Sequence, residues 1–439
     1  MASSTLTIPK RSIGFLLGMS SLMLGANVVW VSYITILLPT LVEQVVSEEK
    51  GLVVGLIGFF GTLLAVLVSI LWGIISDHTS SPMGKRSPSI LAGALLALPF
   101  IALPVLILSP STAARLLPVA LPIIIFSFLG MEFFTNVSNG AWWPLLVDVV
   151  PEHQRGLAAG INGFLTLLGA VIAFLVVTSL NQVGQTALAL WLVGGIFALT
   201  GVISTLVLRG KDLPAHPSER INPWQAMGEL FKVRTPVVVF FWLVLALLLA
   251  NMGINSLQFF ARYFFEVYFP STDPDAALRL MGGISLVFTM LSAVGSGFLS
   301  DKIGRRAMIL WAMFLCAICT LFMGLVSNFS IFLVLIGLRS IATGPILATA
   351  PALASDLSPK DEAGHYMAYN NLSTGLSGGI ASLVFGLLLV NLTRTTFTSV
   401  FIVSAILFAL GGVIFYLKVS QKALDAQLKA PVGQARELS

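Results

Sequence analysis

The sequence predicts an all-α membrane protein: twelve transmembrane helices arranged as two pseudo-symmetric six-helix bundles. Three observations carry that expectation. Of 439 residues, 57% are hydrophobic and 10% are charged, where a soluble domain averages about 25% charged. Twelve apolar runs are long enough to cross a bilayer, which takes roughly 20 residues each. The two halves also share a spaced set of residues, so the chain reads as a duplicated six-helix unit.

The elements follow in order. A polar start, Met1 to Ser12 with Lys10 and Arg11, runs directly into the first apolar run at about 13–39, so no cleavable signal peptide is expected. Five more runs follow at about 51–75, 88–109, 116–147, 156–180 and 186–208, completing a first bundle over 1–208. The stretch 209–235 is the one long polar connection and reads as a cytoplasmic linker; inside it, Asn222 to Lys232 has the pattern of a short helix lying on the membrane. The second bundle fills 236–417, with runs at about 236–268, 278–300, 307–327, 329–355, 363–391 and 395–417, and 418–439 reads as a polar cytoplasmic tail.

Lys and Arg set the direction of insertion. With both termini in the cytoplasm, only Lys50, Arg115, Arg279 and Arg394 of the 24 basic residues fall outside, and Arg262 and Arg339 lie within spans. The outer loops carry acids instead: Glu43, Glu48, Glu49, Asp273 and Asp275. The expected location is a bacterial cytoplasmic (inner) membrane. Enzymatic activity has no support, because no nucleophile with a base, phosphate-binding loop or metal-ligand cluster is present. No cofactor, metal or nucleic-acid partner is expected; the partners are a small solute, a proton and the bilayer, and a monomer is the default. Cys316 and Cys319 form a lone C-x-x-C inside an apolar run, which reads as packing.

The repeat is specific. Leu145-Leu146-Val147-Asp148 leads to Pro151, Gly156, Asn162 and Thr166, and Leu353-Ala354-Ser355-Asp356 leads to Pro359, Gly364, Asn370 and Thr374. Asp, Pro, Gly, Asn and Thr recur at one constant offset of 208 positions. A second repeat links Gly73 and Asp77 to Gly297 and Asp301. Parallel six-helix repeats are a transporter architecture, with the solute expected near the midplane.

Gly297-x-x-x-Asp301-Lys302-x-Gly304-Arg305-Arg306 resembles the loop 8–9 signature of the major facilitator superfamily. Gly73-Ile74-Ile75-Ser76-Asp77 followed by Gly84-Lys85-Arg86-Ser87-Pro88 looks like its loop 2–3 counterpart, with a four-residue insertion between Asp and Gly. That longer form is similar to the sucrose/proton symporters and the glycoside–pentoside–hexuronide cation symporters. The fourth span resembles the sucrose-symporter pattern through Glu132, Asn136, Gly140, Leu145, Leu146 and Asp148, departing from it by Glu in place of Asp. The resemblance implies secondary transport, with that acid in proton coupling. Melibiose-type sodium symporters carry acids on the second span; here none precedes Asp77, which favours a proton over sodium. The signature loops are expected to gate: Asp77 and Asp301 end their helices, and Gly84, Lys85, Arg86, Gly304, Arg305 and Arg306 form clusters that can pair with acids such as Asp148 and Asp356 and with helix C-termini. Arg155 joins this set. The alternative is a basic loop that only sets topology.

The residues themselves agree. Glu132 is the sole carboxylate at mid-depth of a predicted span, and helix period places it on one face with Asn136, Asn139 and Trp143. An ionisable group at that depth costs several kcal/mol and serves ions or solute. Across the repeat Arg339 corresponds to Met131, so a proton-controlled Glu132–Arg339 pair is the sharper expectation, and two independent sites the rival. In the seventh span Asn251, Asn255, Gln258, Arg262 and Glu266 form one helical stripe; the amides suit a hydroxyl-rich ligand, and Arg262 with Glu266 reads as an outer gate or interfacial ion pair. Asn370 and Asn371 add amides in the eleventh span. Asn27, Trp30 and Tyr33 in the first could hold and stack a sugar ring. Ser285, Thr289, Ser292 and Ser296 read as packing hydroxyls. The reading is proton-coupled symport of a sugar or similar small polar solute. Its rivals are proton-coupled efflux of drugs or amphipathic metabolites, and a membrane assembly or delivery factor.

Overall fold

The structure, a computed structural model, describes residues 9–212, 222–230, 237–358 and 363–419. Among these, twelve helices are long and apolar enough to cross a membrane. They are α1 (Ile13–Val45), α2 (Lys50–Asp77), α3 (Ser87–Leu108), α4 (Ala113–Asp148), α5 (Glu152–Gln182) and α6 (Thr186–Leu208), then α7 (Val238–Leu257), α8 (Pro274–Ser300), α9 (Arg305–Met323), α10 (Phe329–Leu357), α11 (Tyr366–Leu388) and α12 (Arg394–Lys418). A short helix, Pro223–Leu230, lies between α6 and α7. Most of the polar tail, residues 420–439, falls outside the described residues.

The chain divides into two compact units, one of Met1–Val45 with Leu63–Met227 and one of Val46–Thr62 with Gly228–Ser439. The first half of α2 therefore groups with the second unit, which a division at the linker does not anticipate. In unit 1, α1 packs on α5 and α6, and α3 on α4 and α6. Unit 2 repeats the scheme, α7 on α11 and α12, and α9 on α10 and α12.

Helices in lipid gain little from the hydrophobic effect on meeting each other; close backbone approach and interhelical hydrogen bonds hold them. Trp142 Nε1 of α4 and Ser204 Oγ of α6 both donate to Met19 O of α1, at 2.8 and 2.9 Å, and Ser138 Oγ donates to Ile90 O of α3 at 2.9 Å. Gly140 lets α4 close on α2, since a Cβ there would lie 2.3 Å from Ser69 O. Unit 2 has an apolar core built on Phe240, Leu243, Met313, Tyr366 and Phe408.

The first helix of each six-helix repeat is irregular. α1 contains a π-helical turn, Tyr33–Leu37. The seventh span is not the continuous helix that its apolar run predicts: Asn255–Leu257 tightens to a 3-10 turn, Gln258 to Phe260 are non-helical, and a separate helix resumes at Ala261–Tyr268. Gln258 N–H bonds Asn255 O at 3.1 Å in place of its α-helical acceptor, Ile254 O. Asn27 and Asn251 share the spacing of Gly73/Gly297 and Asp77/Asp301, so both irregularities fall at matching depth in the repeat.

Candidate functional site

Glu132 sits one turn before Asn136 in α4 and is 2% exposed. Asn136 Nδ2 donates to Glu132 Oε2 at 3.1 Å and to Glu132 O at 2.9 Å. The Trp30 side chain of α1 stands beside the same carboxyl. The Trp30 ring is otherwise 45% exposed, leaving aromatic surface beside the acid. These partners of Glu132 are neutral, so the carboxyl can take up or release a proton without breaking an ion pair. Asn27 and Asn139 are half-buried. Asn139 Oδ1 is buried without a hydrogen-bond donor, as is Asn162 Oδ1 of α5, a residue the sequence flags only through the repeat.

Tyr33 belongs elsewhere. It is fully buried, its hydroxyl meets Ser127 Oγ at 2.5 Å, and Ser127 Oγ donates to Phe100 O at 2.7 Å. These contacts make Tyr33 part of the packing among α1, α3 and α4, and the expectation of a solute-facing ring is corrected. A deeply apolar neighbourhood demanded a partner for the phenol, and a hydroxyl on α4 supplies it.

In unit 2 the expected stripe on the seventh span is interrupted. A 3-10 turn and a non-helical segment shift every later side chain off the i, i+4 register. Asn251 is buried, and its Nδ2 turns back to Leu247 O at 2.9 Å. Asn255 Nδ2 reaches Ser377 Oγ of α11 at 3.3 Å, and Gln258 lies half-buried in the break. Beyond it, Arg262 Nη1 pairs with Asp275 Oδ2 at 2.9 Å in the first turn of α8, and Glu266 is exposed. On α11, Asn370 is buried and Asn371 is exposed. Thr289 Oγ1 and Ser292 Oγ of α8 donate to Ser340 O of α10, at 3.4 and 3.3 Å. Arg339 of α10 donates to Gly253 O and Ile254 O, each at 3.0 Å. Glu132 and Arg339 thus each find hydrogen-bond partners inside their own unit. Cys316 and Cys319 are buried free thiols.

The loop signature is built around Arg86, whose side chain is 2% exposed. It ion-pairs with Asp77 and, through Nη2 at 3.1 Å, with Asp148 Oδ2; Nη1 donates to Ser76 Oγ at 2.7 Å and Gly73 O at 3.1 Å. Lys85 Nζ adds a pair to Asp148 Oδ2 at 2.8 Å, and Arg155 Nη2 donates to Val147 O at 3.3 Å. Asp212, just past α6, is the partner that sequence reasoning missed. Its Oδ2 accepts from Arg86 N at 2.8 Å, Ser87 N at 2.7 Å and Ser87 Oγ at 2.8 Å, capping α3. Gly84 and Gly304 both turn with positive φ, +105° and +87°. In the second copy Arg305 pairs with Asp356, while Arg306 Nε and Nη2 donate to Val419 O at 2.6 Å and Tyr416 O at 2.9 Å at the end of α12. The Asp301 side chain lies outside the described residues.

Comparison with known proteins places this arrangement. A family model for the Major Facilitator Superfamily matches residues 22–296 and 271–437. No curated protein sequence matches the chain. Among solved structures, a bacterial homolog to the human lysosomal transporter Spinster is similar with a TM-score of 0.70 at 14% identity, over 96% of this chain and 100% of that one. The nucleoside transporter NupG gives 0.69 at 14% identity, over 92% and 100%. A D-xylose–proton symporter gives 0.62 at 17% identity, over 92% and 97%. At these identities the likeness is one of fold.

Proposed function

The chain belongs to the major facilitator superfamily, and from that premise we propose that it carries a sugar or similar small polar solute across the membrane by alternating access, together with a proton held on Glu132. The observation that supports this most is a buried carboxyl that accepts from a neutral amide, Asn136, beside the exposed aromatic face of Trp30. When ionised, the carboxylate accepts the Asn136 N–H. When protonated it gains an O–H donor that a solute hydroxyl can accept, while the Trp30 ring stacks on the apolar face of a sugar. Loading from an acidic exterior and release of the proton to the cytoplasm then drive net uptake.

In this reading both termini are cytoplasmic, in a bacterial inner membrane, and the protein works as a monomer. Amides of Asn27, Asn136 and Asn139, all in unit 1, contribute solute contacts. The Arg86 and Arg305–Arg306 clusters act as gates on the cytoplasmic side, with the Arg262–Asp275 pair at the outer end. Among proteins of this fold, a nucleoside transporter and a D-xylose–proton symporter make a polyol-like solute a reasonable starting choice.

The test separates coupling from binding. In vesicles, Glu132→Gln should abolish uphill accumulation of radiolabelled D-xylose or another transported sugar while leaving its downhill exchange intact. Accumulation unchanged in that variant would remove Glu132 from the mechanism. A wild-type protein silent toward every mono- and disaccharide tried would redirect the search to export of amphipathic compounds.

A further inference from the structure

Arg339 lies in a membrane-spanning helix, and its described partners are carbonyls and an aromatic ring. Its Nη2 donates to Gly253 O and Ile254 O, and its guanidinium carbon stands 5.9 Å from the Phe408 ring centroid. Those two carbonyls end the first segment of the seventh span, just where Asn255–Leu257 tightens and the helix stops. A helix end leaves carbonyls without their i+4 donors and carries the negative pole of the helix dipole. Within a bilayer no water takes the place of those donors. A guanidinium meets both needs, because it offers several N–H groups and stays charged.

The surroundings are shaped to this contact. A Cβ at Gly253 would lie 2.6 Å from the Phe408 ring, so the ring under Arg339 fits only against a glycine. Thr343 Oγ1, one turn along α10, bonds Arg339 O at 2.9 Å and fixes the backbone from which the side chain departs.

We infer that Arg339 is a positioning residue that caps the broken seventh helix and so sets the amides of Asn251, Asn255 and Gln258 flanking the break. Asn255 Nδ2 at 3.3 Å from Ser377 Oγ is one contact that depends on it. This role goes beyond the proton reading of Glu132 and does not rely on it: Arg339 acts through backbone carbonyls and needs no change of charge.

Hydrogen–deuterium exchange on the full chain in lipid nanodiscs tests it without any solute. Arg339→Met removes the donors and keeps much of the stem; Arg339→Lys keeps a cation with N–H groups. The expected result is exchange at residues 255–260 faster by about tenfold or more in Arg339→Met, with unit 1 unchanged, and within about threefold of wild type in Arg339→Lys. Unchanged exchange at 255–260 in Arg339→Met, or acceleration spread evenly over both units, would overturn the proposal. Should Arg339→Met fail to fold, Gly253→Ala displaces Phe408 and perturbs the same cap without touching the charge; it should accelerate the same segment, and no local change there would equally overturn the proposal.

Discussion

Arg86 and Arg305 occupy corresponding basic clusters, yet replacing each by methionine should have very different effects. The Arg86 side chain is 2% exposed and serves Asp77, Asp148, Ser76 and Gly73. Losing the bonds to Ser76 and the Gly73 carbonyl costs about 1 kcal/mol each. Breaking a fully buried ion pair costs about 3–5 kcal/mol, but here the loss is smaller. Asp77 is 48% exposed, and Lys85 Nζ remains 2.8 Å from Asp148. A total near 3 kcal/mol follows, or an apparent melting temperature lower by roughly 6–12 °C for a unit of this size. The Arg305–Asp356 pair is 35% and 43% exposed; such pairs contribute below about 1 kcal/mol, so Arg305→Met should lower the transition by less than about 4 °C. Tryptophan fluorescence of detergent-purified variants, heated at one scan rate because unfolding of such proteins is commonly irreversible, gives the comparison. Equal shifts for the two variants, or a shift under about 2 °C for Arg86→Met, would refute the burial argument.

Other consequences can be checked with the same material. Asp212→Ala removes three hydrogen bonds from the start of α3 and should cost about 1–2 kcal/mol, most of it recovered by Asp212→Asn, which still caps; melting curves decide, and an Asn variant as weak as Ala would contradict the capping role. Gly84→Ala forces a side chain into φ +105° and against Asp212 O at 2.2 Å, so a loss of about 1–3 kcal/mol is expected by the same assay. Tyr33→Phe should lower stability by about 1 kcal/mol through the lost Ser127 bond while leaving the transport KM unchanged; a KM that rises severalfold would return Tyr33 to the solute site. Wild-type uptake should grow as the external medium is acidified, because the loaded form requires a proton from outside, and Glu132→Gln should flatten that dependence.

Much of the architecture is legible in the sequence because hydropathy is a long-range signal that averages over a whole helix. The twelve spans and the buried position of Glu132 follow from it. The break in the seventh span does not, since Phe259 and Phe260 keep the run apolar and no proline marks the interruption. Counting i, i+4 along that run assumes an unbroken helix and puts the amides before the break and Arg262 after it on one stripe that the backbone does not form. Asp212 was hidden for another reason. It lies 126 residues from Arg86 in a polar segment, where nothing in local pattern points to the start of α3. Tyr33 shares the first span with Asn27 and Trp30, but nothing in the local pattern shows that its hydroxyl meets Ser127, 94 residues away.

The central claim is that Glu132 carries a proton coupled to a small polar solute. It is tested most directly with purified protein in liposomes containing a trapped pH dye, challenged with a panel of mono- and disaccharides. The account predicts that at least one sugar acidifies the lumen of wild-type liposomes and leaves Glu132→Gln liposomes unchanged. Sugar-driven proton movement that persists in Glu132→Gln would contradict it.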